Sequence, residues 1–95
     1  MPRVTLFSGP GCCLCDQAKA LLDKVAIDQP FSLEIRDIQA DPALFERFRY
    51  AIPVIAVDDE VVMAGKVTEF WIRKALRGEP LGREAREALP SLVRD

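Results

Sequence analysis

Three cysteines lie within positions 12–15, and the chain of 95 residues has no others. They follow an apolar segment that ends in the Gly-Pro-Gly loop at residues 9–11, and apolar residues recur at helical spacing after them. Cysteines that serve packing would be scattered along the chain, so clustering at a strand-to-helix junction indicates a chemical role. The fold must therefore place a strand, a tight loop and a helix start around these sulfurs.

Cys12 and Cys15 have the Cys-x-x-Cys spacing. If a helix begins near Cys12, residues three apart share one face, close enough to form or exchange a disulfide. Cys13 would need a vicinal bond to Cys12, and it would project to a different side of the turn from Cys15. We therefore predict that Cys12 and Cys15 form the pair and that Cys13 is a bystander or an accessory thiol. Metal sites use the same spacing, so a Cu(I), zinc or iron–sulfur site remains an alternative.

The helix start also affects the thiol chemistry. The first N–H groups of a helix have no intrahelical partner and carry a partial positive charge, which favours a thiolate. No Lys or Arg lies between Ser8 and Asp16 to strengthen the effect, and Asp16 opposes it. We predict a modestly activated Cys12 as nucleophile and Cys15, shielded inside the first turn, as the resolving thiol.

Composition limits the function classes. The formal net charge is -2, which gives no reason to expect nucleic acid or an anionic membrane surface as a partner. There is no apolar run of about 18 residues and no signal-peptide-like start, so we expect a cytoplasmic protein. The chain has no histidine, which excludes a Cys-His nucleophile, a His general base and a His-containing zinc site.

The hydrophobic pattern predicts strand, helix, strand, helix, strand, strand, helix. Asp41 and Pro42 give a helix start, Thr68 caps the last helix and Gly78 ends it. A strand–helix–strand beginning implies a parallel pair. The predicted elements span residues 3–7, 13–27, 31–38, 42–50, 53–57, 60–63 and 69–77. The apolar residues assigned to the last helix are Phe70, Trp71, Ala75 and Leu76, and the aromatic side chains predicted to lie in the core are Phe7, Phe31, Phe45, Phe48, Phe70 and Trp71.

This order resembles the thioredoxin fold in its compact glutaredoxin form. The resemblance spans residues 4–78 and depends on the Cys motif after the first strand and on Tyr50-Ala51-Ile52-Pro53-Val54 opening the third. More closely, the chain is similar to small bacterial glutaredoxin-like proteins with the motif Pro-Gly-Cys-x-Leu-Cys, which residues 10–15 match. The resemblance implies an α/β fold with a four-stranded mixed sheet and helices on both faces. We expect one domain over residues 1–78 and a C-terminal extension, a short helix or tail, over 79–95.

The same resemblance implies further site residues. It places a cis peptide bond before Pro53, opposite the cysteines, leaving the Ile52 backbone free to pair with an extended thiol substrate such as glutathione. It assigns Gly65, Thr68 and Arg49 to substrate or glutathione binding. The chain departs from the family pattern because the second glycine beside Gly65 and the tyrosine between the two cysteines are both missing.

The resulting hypothesis is a thiol–disulfide oxidoreductase that serves cell redox homeostasis. Its partners would be protein disulfides or glutathione mixed disulfides, glutathione would be a candidate cosubstrate, and no cofactor or metal would be required. We expect a monomer that binds neither nucleic acid nor membrane. The alternatives are a metal- or iron–sulfur-binding or delivery module that uses the same cysteines, and a redox-inert interaction domain.

Overall fold

The computed structural model describes residues 2–78 of the chain. The predicted C-terminal extension, 79–95, lies outside the described residues. The predicted order of strands and helices is confirmed, with one addition, a short 3₁₀ helix before α2. The elements are β1 (Arg3–Ser8), α1 (Cys13–Ala26), β2 (Ser32–Asp37), the 3₁₀ helix (Ile38–Ala40), α2 (Pro42–Phe48), β3 (Val54–Val57), β4 (Glu60–Ala64) and α3 (Glu69–Leu76).

The four strands form one mixed sheet in the order β2-β1-β3-β4. Strands β1 and β2 are parallel, while β3 is antiparallel to both β1 and β4. Parallel neighbours need a long crossover, and α1 supplies it. Strands β3 and β4 need only the two-residue turn at Asp58 and Asp59. The predicted four-stranded mixed sheet is confirmed.

Alternate residues of the central strands pack against helices on opposite faces of the sheet. Val4 and Leu6 of β1 belong to one core cluster, which α1 and α3 complete with Leu22 and Ile72. Phe7 belongs to a second cluster with residues of β3, β4 and α2. Because both faces are covered, residues 4–7 of β1 are all buried, as expected for a continuous apolar strand. Helices on both faces are therefore confirmed.

The prediction that six of the seven aromatic side chains lie in the core is wrong for the two in α3. Phe70 is 63% exposed and Trp71 is 37% exposed. Their rings meet edge to face, with the ring centres 5.5 Å apart. The buried residues of α3 are Ile72 and Ala75, three positions apart. That spacing fixes the helix face that meets the core, and the two aromatic residues lie outside it. The other four aromatic residues do pack against the core clusters: Phe7, Phe31, Phe45 and Phe48.

No helix within residues 2–78 has both the length and the apolar character needed to cross a bilayer.

Candidate active site

The loop after β1 delivers the cysteines to the start of α1. Gly11 has a left-handed φ of 72°, which glycine adopts without steric cost. Cys12 is the N-cap of the helix, with φ -93° and ψ 102°. Its Sγ accepts a hydrogen bond from the Cys15 N–H, and the sulfur and nitrogen atoms are 3.1 Å apart. Sulfur here takes the place of the side-chain oxygen that usually caps a helix.

Cys12 and Cys15 form the predicted pair. Their sulfurs lie at disulfide-bonding distance and their Cα atoms are 5.2 Å apart, within the usual range for a disulfide. Cys15 is buried at 5% exposure, whereas Cys12 is half-buried. Cys13 is exposed and is not part of the disulfide. An external thiol or disulfide therefore meets Cys12 before it meets Cys15.

A second loop, between α2 and β3, runs beside the cysteine loop. The Ile52–Pro53 peptide bond is cis, as the resemblance implies. Ile52 is half-buried, and its N–H donates a hydrogen bond to the Phe48 carbonyl at 3.2 Å. Pro53 is buried. Helix α2 thus holds the start of this segment in place.

The register of the sheet brings these two loops together. Phe7 pairs with Val54 at the end of the antiparallel β1–β3 ladder. Continuing that register by two residues sets Gly9 opposite Ile52. The packing agrees, because a β-carbon built on Gly9 would lie 3.1 Å from Ile52 Cδ1. The structure therefore places the Ile52–Pro53 segment beside the loop that carries Cys12.

A third loop, after β4, joins the same end of the sheet. The Gly65 N–H donates to the carbonyls of both Ala51 and Pro53, at 2.9 Å each. Gly65 has a φ of +78°, and a β-carbon there would meet nothing within 4 Å in the described part of the chain. Three residues later, Thr68 caps α3 by accepting a hydrogen bond from the Trp71 N–H at 3.3 Å. Thr68 thus has a structural role independent of any ligand.

Arg49 lies at the α2 side of the site. It is exposed, and its guanidinium carbon lies 4.7 Å from the centre of the Tyr50 ring and 5.8 Å from that of Phe45. Within residues 2–78 neither Arg49 nor Lys66, the residue after Gly65, forms an ion pair with a carboxylate. In sequence, Arg49 lies three residues before Ile52, and Lys66 follows Gly65, whose N–H donates to Ala51 and Pro53.

The shifted pKa values belong to groups where α3 packs on the end of α1. Hydrogen bonding to Arg73 lowers the pKa of Asp28, and hydrogen bonding first to Lys24 and then to Arg73 lowers the pKa of Glu69. The same carboxylates raise the pKa of Arg73, with Asp28 contributing more. Asp28 follows the C-terminus of α1, whereas the cysteines are at its N-terminus. The Asp28 end of this ionic network therefore lies at the opposite end of α1 from the cysteines.

Among residues 2–78, no group of three or more His, Cys, Asp or Glu side chains is arranged to hold a metal ion.

One residue that sequence reasoning did not select is Gly9. It lies in the Gly-Pro-Gly loop, where the sequence predicts only a turn. Its contact with Ile52 crosses between segments that are 43 positions apart in sequence, 52 against 9. The only signal available was the strand register, which is fixed once β1 and β3 are known to pair.

Comparisons with known proteins agree with this geometry. The sequence model of the glutaredoxin-like domain (DUF836) matches residues 3–77. Among solved structures, protein Ne2328 from Nitrosomonas europaea superposes with a TM-score of 0.69 at 20% identity, covering 78% of this chain and 89% of that one. Thioredoxin-2 of the malaria parasite gives 0.63 at 15% identity, covering 83% and 84%. Oxidised thioredoxin from Plasmodium falciparum gives 0.58 at 10%, covering 81% and 79%. At these identities the structures support a thioredoxin-like fold.

Proposed function

We propose that this chain, which belongs to the glutaredoxin-like domain family, is a thiol–disulfide oxidoreductase that uses Cys12 and Cys15. The observation that carries the proposal is the pair itself: two sulfurs at bonding distance on the first turn of a helix, one accessible and one buried. Such asymmetry suits an exchange in which one thiol meets the substrate and the other completes the reaction.

The proposed reaction consists of two thiol–disulfide exchanges. The Cys12 thiolate attacks one sulfur of a substrate disulfide, forming a mixed disulfide and releasing the other substrate sulfur as a thiolate, which takes up a proton. The Cys15 thiolate then attacks Cys12 Sγ, forming the Cys12–Cys15 disulfide and releasing the second substrate thiol. The substrate gains two electrons and two protons, and the protein dithiol loses them. An external thiol such as glutathione would restore the dithiol.

The helix start supports the nucleophile. In the reduced protein, the Cys15 N–H that donates to Cys12 Sγ would stabilise the thiolate, because hydrogen bonds to charged acceptors are stronger than those to neutral ones. The positive end of the helix dipole contributes in the same direction. Asp16 in the first turn opposes it. We therefore propose modest activation of Cys12.

The substrate would lie along the Ile52–Pro53 segment. We propose that the Ile52 carbonyl accepts a hydrogen bond from the chain beside the substrate sulfur, in a protein disulfide or a glutathione mixed disulfide, since the Ile52 N–H already donates to Phe48. The open space beside Gly65 leaves room for this approach. Arg49 would attract a substrate carboxylate, and Thr68, three residues after Gly65, would contact the same substrate. We place this activity in the cytoplasm, where a reducing thiol pool would regenerate the dithiol.

A redox titration of the purified protein in glutathione buffers tests the proposal. Intact mass and peptide mapping should show a loss of two hydrogens at Cys12 and Cys15 with a defined midpoint. Cys12→Ser should abolish reduction of a disulfide substrate, and Cys15→Ser should accumulate a mixed disulfide on Cys12. Cys13→Ser is the matched control, because this thiol is exposed and outside the pair. If neither sulfur of the pair changes across the series, the redox proposal is wrong.

A further inference from the structure

Gly9 has no conformational reason to be glycine. The glycines with left-handed φ among residues 2–78 are Gly11, Gly65 and Gly78, and Gly9 is not one of them. Its backbone would therefore accept an L side chain without strain. The explanation for glycine at this position must lie in what surrounds it.

The surroundings of Gly9 hold a single obstacle. Within the described residues, and apart from Gly9 and its chain neighbours, Ile52 Cδ1 is the only heavy atom within 4 Å of a β-carbon built there. The separation of 3.1 Å is closer than ordinary van der Waals contact, so the Ile52 Cδ1 methyl would have to move by a few tenths of an ångström. Its freedom to do so is limited by the packing of the Ile52 side chain against the second core cluster, and the N–H bond to Phe48 holds the Ile52 backbone.

We propose that Gly9 and Ile52 are positioning residues that set the separation between the Cys12 loop and the Ile52–Pro53 segment. This inference rests on the proposed function, because it concerns how a substrate disulfide reaches Cys12. The Ile52 Cδ1 methyl lies where a side chain at Gly9 would be, and this contact sets the distance between the two segments. An extended peptide disulfide has to lie along the Ile52–Pro53 segment while its sulfur is attacked, whereas a small disulfide does not.

The test measures a single exchange step in the Cys13→Ser/Cys15→Ser background, where Cys12 is the only thiol. Two probes are used: 2-hydroxyethyl disulfide, and the symmetric disulfide of a pentapeptide with a central cysteine. Gly9→Ala should slow attack on the peptide disulfide by about 5-fold, since a misplacement of about 1 Å costs roughly 100-fold and the clash needs only a few tenths of that. The rate with 2-hydroxyethyl disulfide should change by less than about 2-fold on the same scale.

Adding Ile52→Val to Gly9→Ala removes the clashing methyl and should restore the peptide rate. Ile55→Val, which removes a methyl from β3 in the other core cluster, is the control for loss of a methyl group and should not restore it. Urea unfolding of each variant separates loss of folding from loss of positioning. Equal slowing on both probes, no slowing on either, or rescue by Ile55→Val would overturn the inference. If Cys12 in the background protein reacts with neither probe, the proposed function itself fails.

Discussion

At the scale of single residues, Cys12 combines two roles in one atom. Its sulfur lies within bonding distance of Cys15 Sγ and also accepts the Cys15 N–H, so the reactive group is part of the helix cap. N-cap positions favour Ser, Thr, Asp or Asn because their oxygens satisfy an otherwise unpaired N–H. Serine would keep an acceptor at this position without supplying a thiol. Chemistry and capping can therefore be separated by substitution.

We predict that Cys12→Ser is more stable than Cys12→Ala by about 1 kcal/mol, the usual value of an N-cap side chain. Serine places an oxygen where the sulfur accepts the Cys15 N–H, and alanine leaves that N–H without a side-chain acceptor. Urea unfolding of both variants under reducing conditions measures the difference. Equal unfolding free energies would show that the cap contributes nothing, and both variants should lack turnover in either case.

The two halves of the candidate site were predicted on different grounds. Cys12 and Cys15 follow from their spacing, whereas the cis bond at Ile52–Pro53 is implied by the family resemblance, which depends on the order of strands and helices as well as on a short motif. Gly9 is different, because its importance comes from one methyl group on a distant segment. Such a contact follows only from the pairing register of β1 and β3.

At the scale of elements, capping signals predicted helix starts better than hydrophobic pattern predicted the buried face. Asp41 accepts hydrogen bonds from two N–H groups of α2, and Thr68 caps α3, both as predicted. The predicted buried face of α3 is wrong because the sequence places apolar residues around most of the helix. Packing of Ile72 and Ala75 on α1 and the sheet decides the face. The 3₁₀ helix was missed because it is only one turn long.

The β3–β4 turn gives an element-scale prediction. Asp58 and Asp59 have φ values of 49° and 70°, which suits the primed turns that match strand twist. We predict that Asp59→Gly is more stable than Asp59→Ala by about 1 kcal/mol, because a β-carbon in left-handed backbone costs roughly 1–2 kcal/mol. Both variants lose the ion pair with Arg3, so the comparison isolates the backbone contribution. The urea midpoints of the two variants measure this difference. A midpoint for Asp59→Ala equal to or above that for Asp59→Gly would contradict the prediction.

At the scale of the whole molecule, the two ends of the sheet differ in their electrostatics. At the site end, Arg49 is stacked on aromatic rings and has no carboxylate partner within residues 2–78. Near the C-terminus of α1, Arg73 makes two hydrogen bonds to Asp28, at 2.8 and 3.0 Å, and one to Glu69 at 3.0 Å. Arg49 thus contacts aromatic rings, while Arg73 joins α3 to the end of α1.

The Arg73 network predicts how stability depends on pH. The folded-state pKa values of Asp28 and Glu69 lie below their ordinary values of 3.8 and 4.5. Near those values the unfolded chain binds more protons than the folded one, so falling pH favours unfolding. The stabilisation by these carboxylates is therefore present above their ordinary pKa values and is lost as the pH falls through and below them.

We predict that Arg73→Met destabilises the protein most near neutral pH and that the difference from wild type shrinks as the pH falls through and below the ordinary carboxyl values of 3.8 and 4.5, because Asp28 and Glu69 lose their pairing with Arg73 as they take up protons. Urea unfolding across a pH series measures this. Lys19→Met is the matched control, since it removes one positive charge from an ion pair within α1 alone. A pH dependence of Arg73→Met that matches that of Lys19→Met would mean that net charge, and not the link between α1 and α3, controls acid stability.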